Sequence, residues 1–504
     1  NGMRIFLDSN YDKILNVASI INNSKAMTIK EISEKVSLSI PSVRNIVDCI
    51  EKNNLTTKEN FFIEELPNKS VEIRAINYPL QQLADNYLEQ SILFLMVKQL
   101  LENRKIVSSK FCESYGISAS SFSRYRMSLK KYLQSIGLDL SRENEIIGNE
   151  MLVRSFFIAF FRYSNSKWKF SPSVYISLKE FLSKNYMDLE QFTENELRVM
   201  CLIMYIGNKR IAQKNFLSDI FFAKLGNIFI RNTVIAKKFF DYFKKKGLDN
   251  EQIEFEVGYL LFSLKKEGLL CDNQVLQLME KFLLSCTEEY KIGYQLSLAV
   301  TSNSDNSAIC KEILIELIFM NLIIKKGYIP YRHFYYVYDE ENFCCFNNAE
   351  KKLLEDTYDI LSVAMECQEV FLYYKEFIEL YNFKELADYF FTVLYAILIK
   401  SKLSKPRPIT IFIEHSKFMN CLILSNKLKS IFHESIEIIE NCNNKVDIVV
   451  TDISNSKKGG NVIRVSSYSD EKDFELLLLK ILDIRKKIDE GDTIKHLLPY
   501  LSRK

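Results

Sequence analysis

Glycine and proline are scarce in this chain of 504 residues, at 14 and 8, and tryptophan occurs once. So few turn-forming residues, beside abundant Leu, Ile, Lys and Glu, argue against a strand-rich architecture and predict a mainly helical protein. An excess of one charge is missing too. The 67 basic residues against 64 acidic ones leave a net charge of +3, so any affinity for nucleic acid must come from local patches. The eleven cysteines include the adjacent Cys344 and Cys345 but no Cys-x-x-Cys pair. That spacing fits neither a disulfide framework nor a zinc site, which predicts reduced thiols and no bound metal. Apolar runs such as 156–161 and 389–399 fall well short of the roughly 20 residues that span a bilayer. No membrane partner is expected, and with no recognisable signal peptide a cytoplasmic location is expected. Asn1-Gly2 ahead of Met3 reads as an expression remnant. The Walker loop, G-x-G-x-x-G, G-x-S-x-G and H-E-x-x-H are all missing, so neither a catalytic residue nor a cofactor is expected.

What the chain does have begins at residues 27–54, MTIKEISEKVSLSIPSVRNIVDCIEKNN. Thr28 and Glu31 have capping-box spacing, and Ile29, Ile32 and Val36 share a helical face. After a turn of only VSLS, Ser39 is placed as an N-cap, Pro41 falls in the first turn, and Val43, Ile46, Val47 and Ile50 recur at i, i+3, i+4, i+7. Two short helices on such a turn form a helix-turn-helix, whose second helix buries one face and offers the other to a DNA major groove. The expected contact residues are Ser39, Ser42, Arg44, Asn45 and Lys52. The runs FFIEEL and VEIR around the turn PNKS read as a β-hairpin wing, with Lys69 at its tip beside the DNA backbone.

Residues 107–131, VSSKFCESYGISASSFSRYRMSLKK, lie over 28–52 without a gap at an offset of 79. Leu38 meets Ile117, the capping Ser39 meets Ser118, Val43 meets Phe122, and Ile50 meets Leu129. One helical hairpin with a serine cap is more often plain packing, but two copies flanked by wing-like strands favour DNA recognition. The second copy is the more basic, holding Lys110, Arg124, Arg126, Lys130 and Lys131 against the single acid Glu113. Its expected contacts are Ser118, Ser120, Ser121, Ser123, Arg124, Arg126, Lys130 and Lys131. GLDLSRENEIIGNE, ahead of the helical MLVRSFFIAFF, reads as a second strand, turn and strand.

From about residue 170 to 400 apolar helical patterns follow one another, of a length that suits two helical bundles. Thr193 with Glu196 marks one helix start. Past SKLSKPRP the pattern changes to ITIFIEH, a helix from Met419 to Phe432, ESIEII, VDIVVTDI, NVIRVS and a closing amphipathic helix, the alternation of a small α/β domain with a mostly parallel sheet. The fold class is therefore mainly α and multidomain, with expected domains at 1–80, 81–168, 169–290, 291–402 and 403–504. Of the four histidines, His415 ends a strand, where a lone histidine is more often structural than catalytic.

This order of parts, with the two motifs at 27–54 and 107–131 and the junction IIGNEMLVRSFF, resembles the Mga/AtxA family of global transcription regulators of Gram-positive bacteria. The resemblance implies two PRD-like helical domains of the kind controlled by the sugar phosphotransferase system and a terminal EIIB-like domain. It also implies double-stranded promoter DNA as partner, recognition weighted toward DNA shape, and self-association as a homodimer or higher homo-oligomer. A phosphotransferase phosphocarrier is a further implied partner. Phosphate control in this family acts on histidines, yet 170–290 contains none, leaving His333 as the possible phosphoacceptor. EHSKF stands where an active EIIB carries its cysteine, with Cys421 several residues later, so a non-catalytic domain serving protomer contact is expected. Surplus apolar residues on helices 383–400 and 474–484 point to a dimer held through residues 290–504. Phosphotransfer through His415 or Cys421 and RNA-binding antitermination are the alternatives kept.

Overall fold

The computed structural model describes residues 2–23, 26–65, 71–75, 78–164, 168–185, 192–301, 307–330, 348–400, 408–414, 418–439, 446–452, 461–465 and 474–484. Lys69, His333 and His415 lie outside them. Helices dominate, as the shortage of glycine and proline leads one to expect. The chain divides into two units. The first comprises the described residues of 1–289, 321–330 and 375–385, and the second the remainder.

The first unit opens with a short 3-10 turn, Gly2–Phe6, and the helix Ser9–Asn23. Then come the helix pair Ile29–Val36 and Ile40–Glu51 and the hairpin Phe61–Glu65 with Val71–Ala75. Met27-Thr28 adds an edge to the hairpin, pairing antiparallel with the second strand to make a three-stranded sheet. Helices against a small antiparallel sheet follow in the order expected of a winged helix.

A second copy follows helices Leu80–Gln90 and Ile92–Asn103. It consists of helices Ser108–Tyr115 and Ala119–Ser135 and a minimal hairpin, Asp139-Leu140 with Ile146-Ile147. Lys105 bridges Glu145 antiparallel, so the same three-segment sheet is present in miniature. The helix Glu150–Tyr163 closes this part with a core of aromatic rings, in which Phe156, Phe157 and Phe160 are fully buried.

Further along the first unit stand helices Pro172–Asn185, Glu194–Ala212, Ile220–Asn232, Val234–Lys244, Asn250–Lys266 and Asn273–Leu284. Thr193 and Glu196 form the predicted reciprocal cap. Helices Ile220–Asn232 and Asn250–Lys266 meet backbone to backbone through two glycines. A Cβ on Gly226 would lie 1.9 Å from the Glu254 carbonyl oxygen, and one on Gly258 2.0 Å from that of Phe222. No other residue type allows so close an approach.

In the second unit, strands Ile409–Glu414, Ile436–Ile439, Ile448–Thr451 and Asn461–Arg464 form a parallel sheet in the order second, first, third, fourth. Its core joins Ile411, Ile448 and Val450 to Leu424 and Leu428 of helix Phe418–Phe432 and to Leu477 and Ile481 of a helix over 474–484. Helix Phe383–Lys400 corrects one expectation. Its Leu386, Phe390, Phe391, Leu394 and Ile397 are buried, and through Ile397 it exposes no large apolar side chain, so its hydrophobic surplus is spent inside the fold. On helix 474–484 the surplus is outside: Leu476, Leu479 and Leu482 are 49%, 64% and 53% exposed.

Candidate nucleic-acid interface

The offset of 79 residues holds down to single hydrogen bonds. Helices Ile29–Val36 and Ser108–Tyr115 correspond residue for residue. Each ends in a left-handed residue, Ser37 at φ 55° and Gly116 at φ 62°. The Leu38 amide donates to the Ser33 carbonyl at 3.2 Å, as the Ile117 amide does to the Cys112 carbonyl at 3.1 Å. Ser39 accepts from the Ser42 amide at 3.3 Å and Ser118 from the Ser121 amide at 3.1 Å, each starting the second helix of its pair. The first helices are held differently. Thr28 and Glu31 cap one reciprocally, which holds the Glu31 carboxyl below its usual range, while Val107 gives the other no side-chain cap.

Each second helix is anchored by its apolar stripe. Val43, Val47 and Ile50 are buried in the first, and Phe122, Leu129, Tyr132 and Leu133 in the second. The opposite faces are free. In the first copy Ser39, Ser42, Arg44, Asn45, Asp48 and Lys52 are exposed, and in the second Ser118, Ser120, Ser123, Arg124 and Lys131. Ser121 is half-buried. The cap serines are engaged locally, Ser39 with Ser42 at 2.8 Å and Ser118 with Ser120 at 2.9 Å. On the first face Arg44 and Lys52 flank the acid Asp48. On the second Arg124 and Lys131 flank Met127, which is 48% exposed. The second face therefore attracts phosphate with no opposing carboxylate of its own.

Two basic residues expected on that face serve the fold. Arg126 is half-buried, donating from Nε to Asn144 Oδ1 at 2.5 Å and from Nη2 to the Ser141 carbonyl at 2.7 Å. Asn144, at φ 59°, in turn donates to the Ile106 carbonyl at 3.0 Å. Arg126 thus clamps the second wing to its helix. Lys130 is half-buried, 3.6 Å from Asp139. The sequence reading also passed over Arg142. It is exposed in the turn between the short strands of the second wing, and its place between two strand-like runs was the available signal.

Both copies share one frame. Phe6 inserts between Tyr132 and Phe160 at ring distances of 4.7 and 4.8 Å. Tyr11 stacks on Tyr87 at 4.5 Å, and the Tyr78 amide donates to Asn22 at 2.9 Å. Tyr125, on the second reading helix, donates to Asp8, and burial raises the pKa of both groups. The first residues of the chain therefore lock the first copy onto the second.

Among the described residues no group of three or more His, Cys, Asp or Glu stands ready to hold a metal ion, and no helix is long and apolar enough to cross a membrane. Cys421 lies in the first turn of helix Phe418–Phe432, half-buried, with Sγ 4.0 Å from the Ile413 carbonyl.

Residues 77–161 match the Mga helix-turn-helix domain. That span takes in the second copy, from the helix that precedes it to the aromatic helix that closes it. Over 205 residues the chain is 26% identical to the capsule synthesis positive regulator AcpA of Bacillus anthracis, a stretch that makes up 40% of this chain and 41% of that protein.

Proposed function

We propose that this chain, which is similar to the Mga helix-turn-helix domain over residues 77–161 and to AcpA over 205 residues, is a DNA-binding transcription regulator of the Mga/AtxA type that grips one promoter duplex with both helix-turn-helix copies and self-associates through its C-terminal half. The observation that carries the first part is the exposed, acid-free face of the second copy's second helix, whose serine cap, buried stripe and exposed outer face recur 79 residues earlier on a helix that carries Asp48 among its basic residues. Two reading helices in a fixed relation demand a duplex that presents its major groove at a matching spacing. Curvature and deformability then enter the affinity alongside base contacts. The name of AcpA makes it a positive regulator of capsule synthesis, and we infer activation of transcription as the mode here. Comparing duplex promoter DNA with single-stranded RNA of the same sequence in a mobility-shift titration tests the reading. Retardation of the duplex at lower protein concentration supports it, and preference for RNA would favour an antiterminator instead.

Self-association follows from the geometry of recognition, since a second protomer meets the adjacent half-site at high effective concentration. Leu476, Leu479 and Leu482 supply an apolar stripe for the contact, on a helix of the small α/β domain that we read as EIIB-like. Replacing all three with glutamine in the full chain is expected to shift the mass measured by light scattering toward the monomer. An unchanged dimer mass would place the contact elsewhere. The PRD-like bundles and a phosphocarrier acting at His333 belong to the same proposal, and phosphate chemistry plays no part in forming the dimer.

A further inference from the structure

The near-neutral charge of the chain conceals its densest basic run, which lies outside both helix-turn-helix copies. Residues 231–246, RNTVIAKKFFDYFKKK, hold Arg231, Lys237, Lys238, Lys244, Lys245 and Lys246 against the single acid Asp241. That is a net +5, leaving −2 for all remaining residues out of the total of +3. Helix Val234–Lys244 buries Ile235, Ala236, Phe239 and Phe243. Its basic positions therefore fall on the outward side: Arg231, Lys237, Lys244, Lys245 and Lys246 are exposed and Lys238 is half-buried. None of the six makes an ion pair with a described residue. Lys244 and Lys246 instead lie over the rings of Phe240 and Tyr242, at 5.6 and 4.9 Å.

Ordinary helix electrostatics accounts for part of this run. Lysines after a helix C-terminus complement its dipole by about 0.3–1 kcal/mol, which covers Lys244, Lys245 and Lys246. Lys237 and Lys238 sit in or just beyond the first turn, where the same dipole opposes a cation. Asp241, three and four residues further along the same helix, offsets one charge at most and makes no ion pair with either lysine, so the run keeps its excess of cations. From Lys237 to Lys244 the helix rises roughly 10 Å at 1.5 Å per residue, about three base-pair steps at 3.4 Å along one strand. The ridge offers flexible point charges and no pocket for a base edge, a chemistry suited to phosphates read without regard to sequence.

We infer that this lysine ridge on helix Val234–Lys244 is a second DNA contact, binding the phosphate backbone of duplex that flanks the segment held by the two helix-turn-helix copies. The inference rests on the DNA-binding reading above and extends the footprint beyond the family's helix-turn-helix domain. An acidic protein surface is the competing occupant. The ridge and both reading helices belong to the same unit of the chain, which favours the duplex already bound there.

The test uses the full chain carrying Lys237→Gln, Lys244→Gln, Lys245→Gln and Lys246→Gln, which keeps the side-chain stems and removes four charges. Binding is measured across a salt series on a promoter duplex with long flanks and on one trimmed to the helix-turn-helix footprint. On the long duplex the slope of log K against log salt should flatten by roughly 3 to 4, at about 0.9 per phosphate released, with affinity down about tenfold or more. On the trimmed duplex the variant should match the wild type, and the corresponding four arginine replacements should restore the long-duplex slope. Equal slopes for wild type and glutamine variant on the long duplex would overturn the inference while leaving the DNA-binding reading intact, and would turn the ridge toward a protein partner. A wild type that binds neither duplex would overturn both.

Discussion

Glu256→Ala is expected to destabilise the first unit by about 3–5 kcal/mol. Its partner Arg154 is fully buried on the aromatic helix that closes the second winged helix. Arg154 donates to both oxygens of Glu256 at 2.6 and 2.8 Å, to Glu150 at 2.9 Å and to the Asn215 carbonyl at 3.3 Å. Arg210, also buried, grips Glu150 through two bonds of 3.0 and 2.7 Å. Two cations and two anions balance within one network. Burial disfavours the charge on Arg154, but the two carboxylates hold its guanidinium protonated. Without Glu256, Arg154 keeps its full charge in a site closed to water and loses two charge-assisted bonds. Replacing both partners with apolar residues of similar size, Arg154→Met with Glu256→Leu, should recover most of the loss, because desolvation of the pair offsets its attraction.

Trp168 provides the readout. It is the single tryptophan of the chain and packs against Tyr205 and Phe170 in the same unit, at 5.6 and 5.5 Å. Its fluorescence in a urea titration should move to a much lower midpoint in Glu256→Ala and back toward wild type in the double variant. A single variant that melts with the wild type would show that the network carries no stability. Glu150 and Arg154 lie on the helix Glu150–Tyr163, while Arg210 and Glu256 lie on the helices that follow. The network thus ties the helix that closes the second copy to the helices that follow it.

Arg124→Ala combined with Lys131→Ala is expected to weaken promoter binding by about ten- to a hundredfold and to flatten the salt slope by roughly 1.8, for two phosphate contacts at about 0.9 each. Both side chains are exposed on a face without a carboxylate. The matching change in the first copy, Arg44→Ala with Lys52→Ala, should cost less, since Asp48 between them already opposes phosphate. Arg126→Ala separates the two roles of basic residues here. It should lower stability through loss of the Asn144 and Ser141 bonds and leave the salt slope near wild type. Fluorescence anisotropy on one labelled duplex at several salt concentrations measures all three, and equal losses from the two copies would refute the ranking.

The local parts of this architecture were legible because their determinants are local. A serine cap, a short turn and an apolar stripe each occupy a few consecutive positions, and the repeat doubled all three. The strands of the C-terminal sheet stood out for the same reason, as short apolar runs between polar turns. What escaped was set by distant neighbours. Arg126 sits among basic residues on an outwardly amphipathic helix, and only the folded wing, 15 to 18 residues away, shows it as a clamp. Glu256 pairs with a residue 102 positions earlier, so within EFEVGYLLF it reads as an ordinary polar position. Helix Phe383–Lys400 misled because an all-round apolar pattern marks either an interface or a fully buried helix, and the neighbours that cover it are remote in the chain. The lysine ridge was passed over for another reason. Averaged over the whole chain its charge cancels, and only the buried face of its helix shows that the lysines line one outer side.

Hydroxyl-radical footprinting of the full chain on a bound promoter duplex tests the two-copy grip most directly. The account predicts two protected stretches on the same duplex, of which the Arg124→Ala/Lys131→Ala variant loses one and keeps the other. A single protected stretch that persists when the charged face of either copy is removed would contradict it.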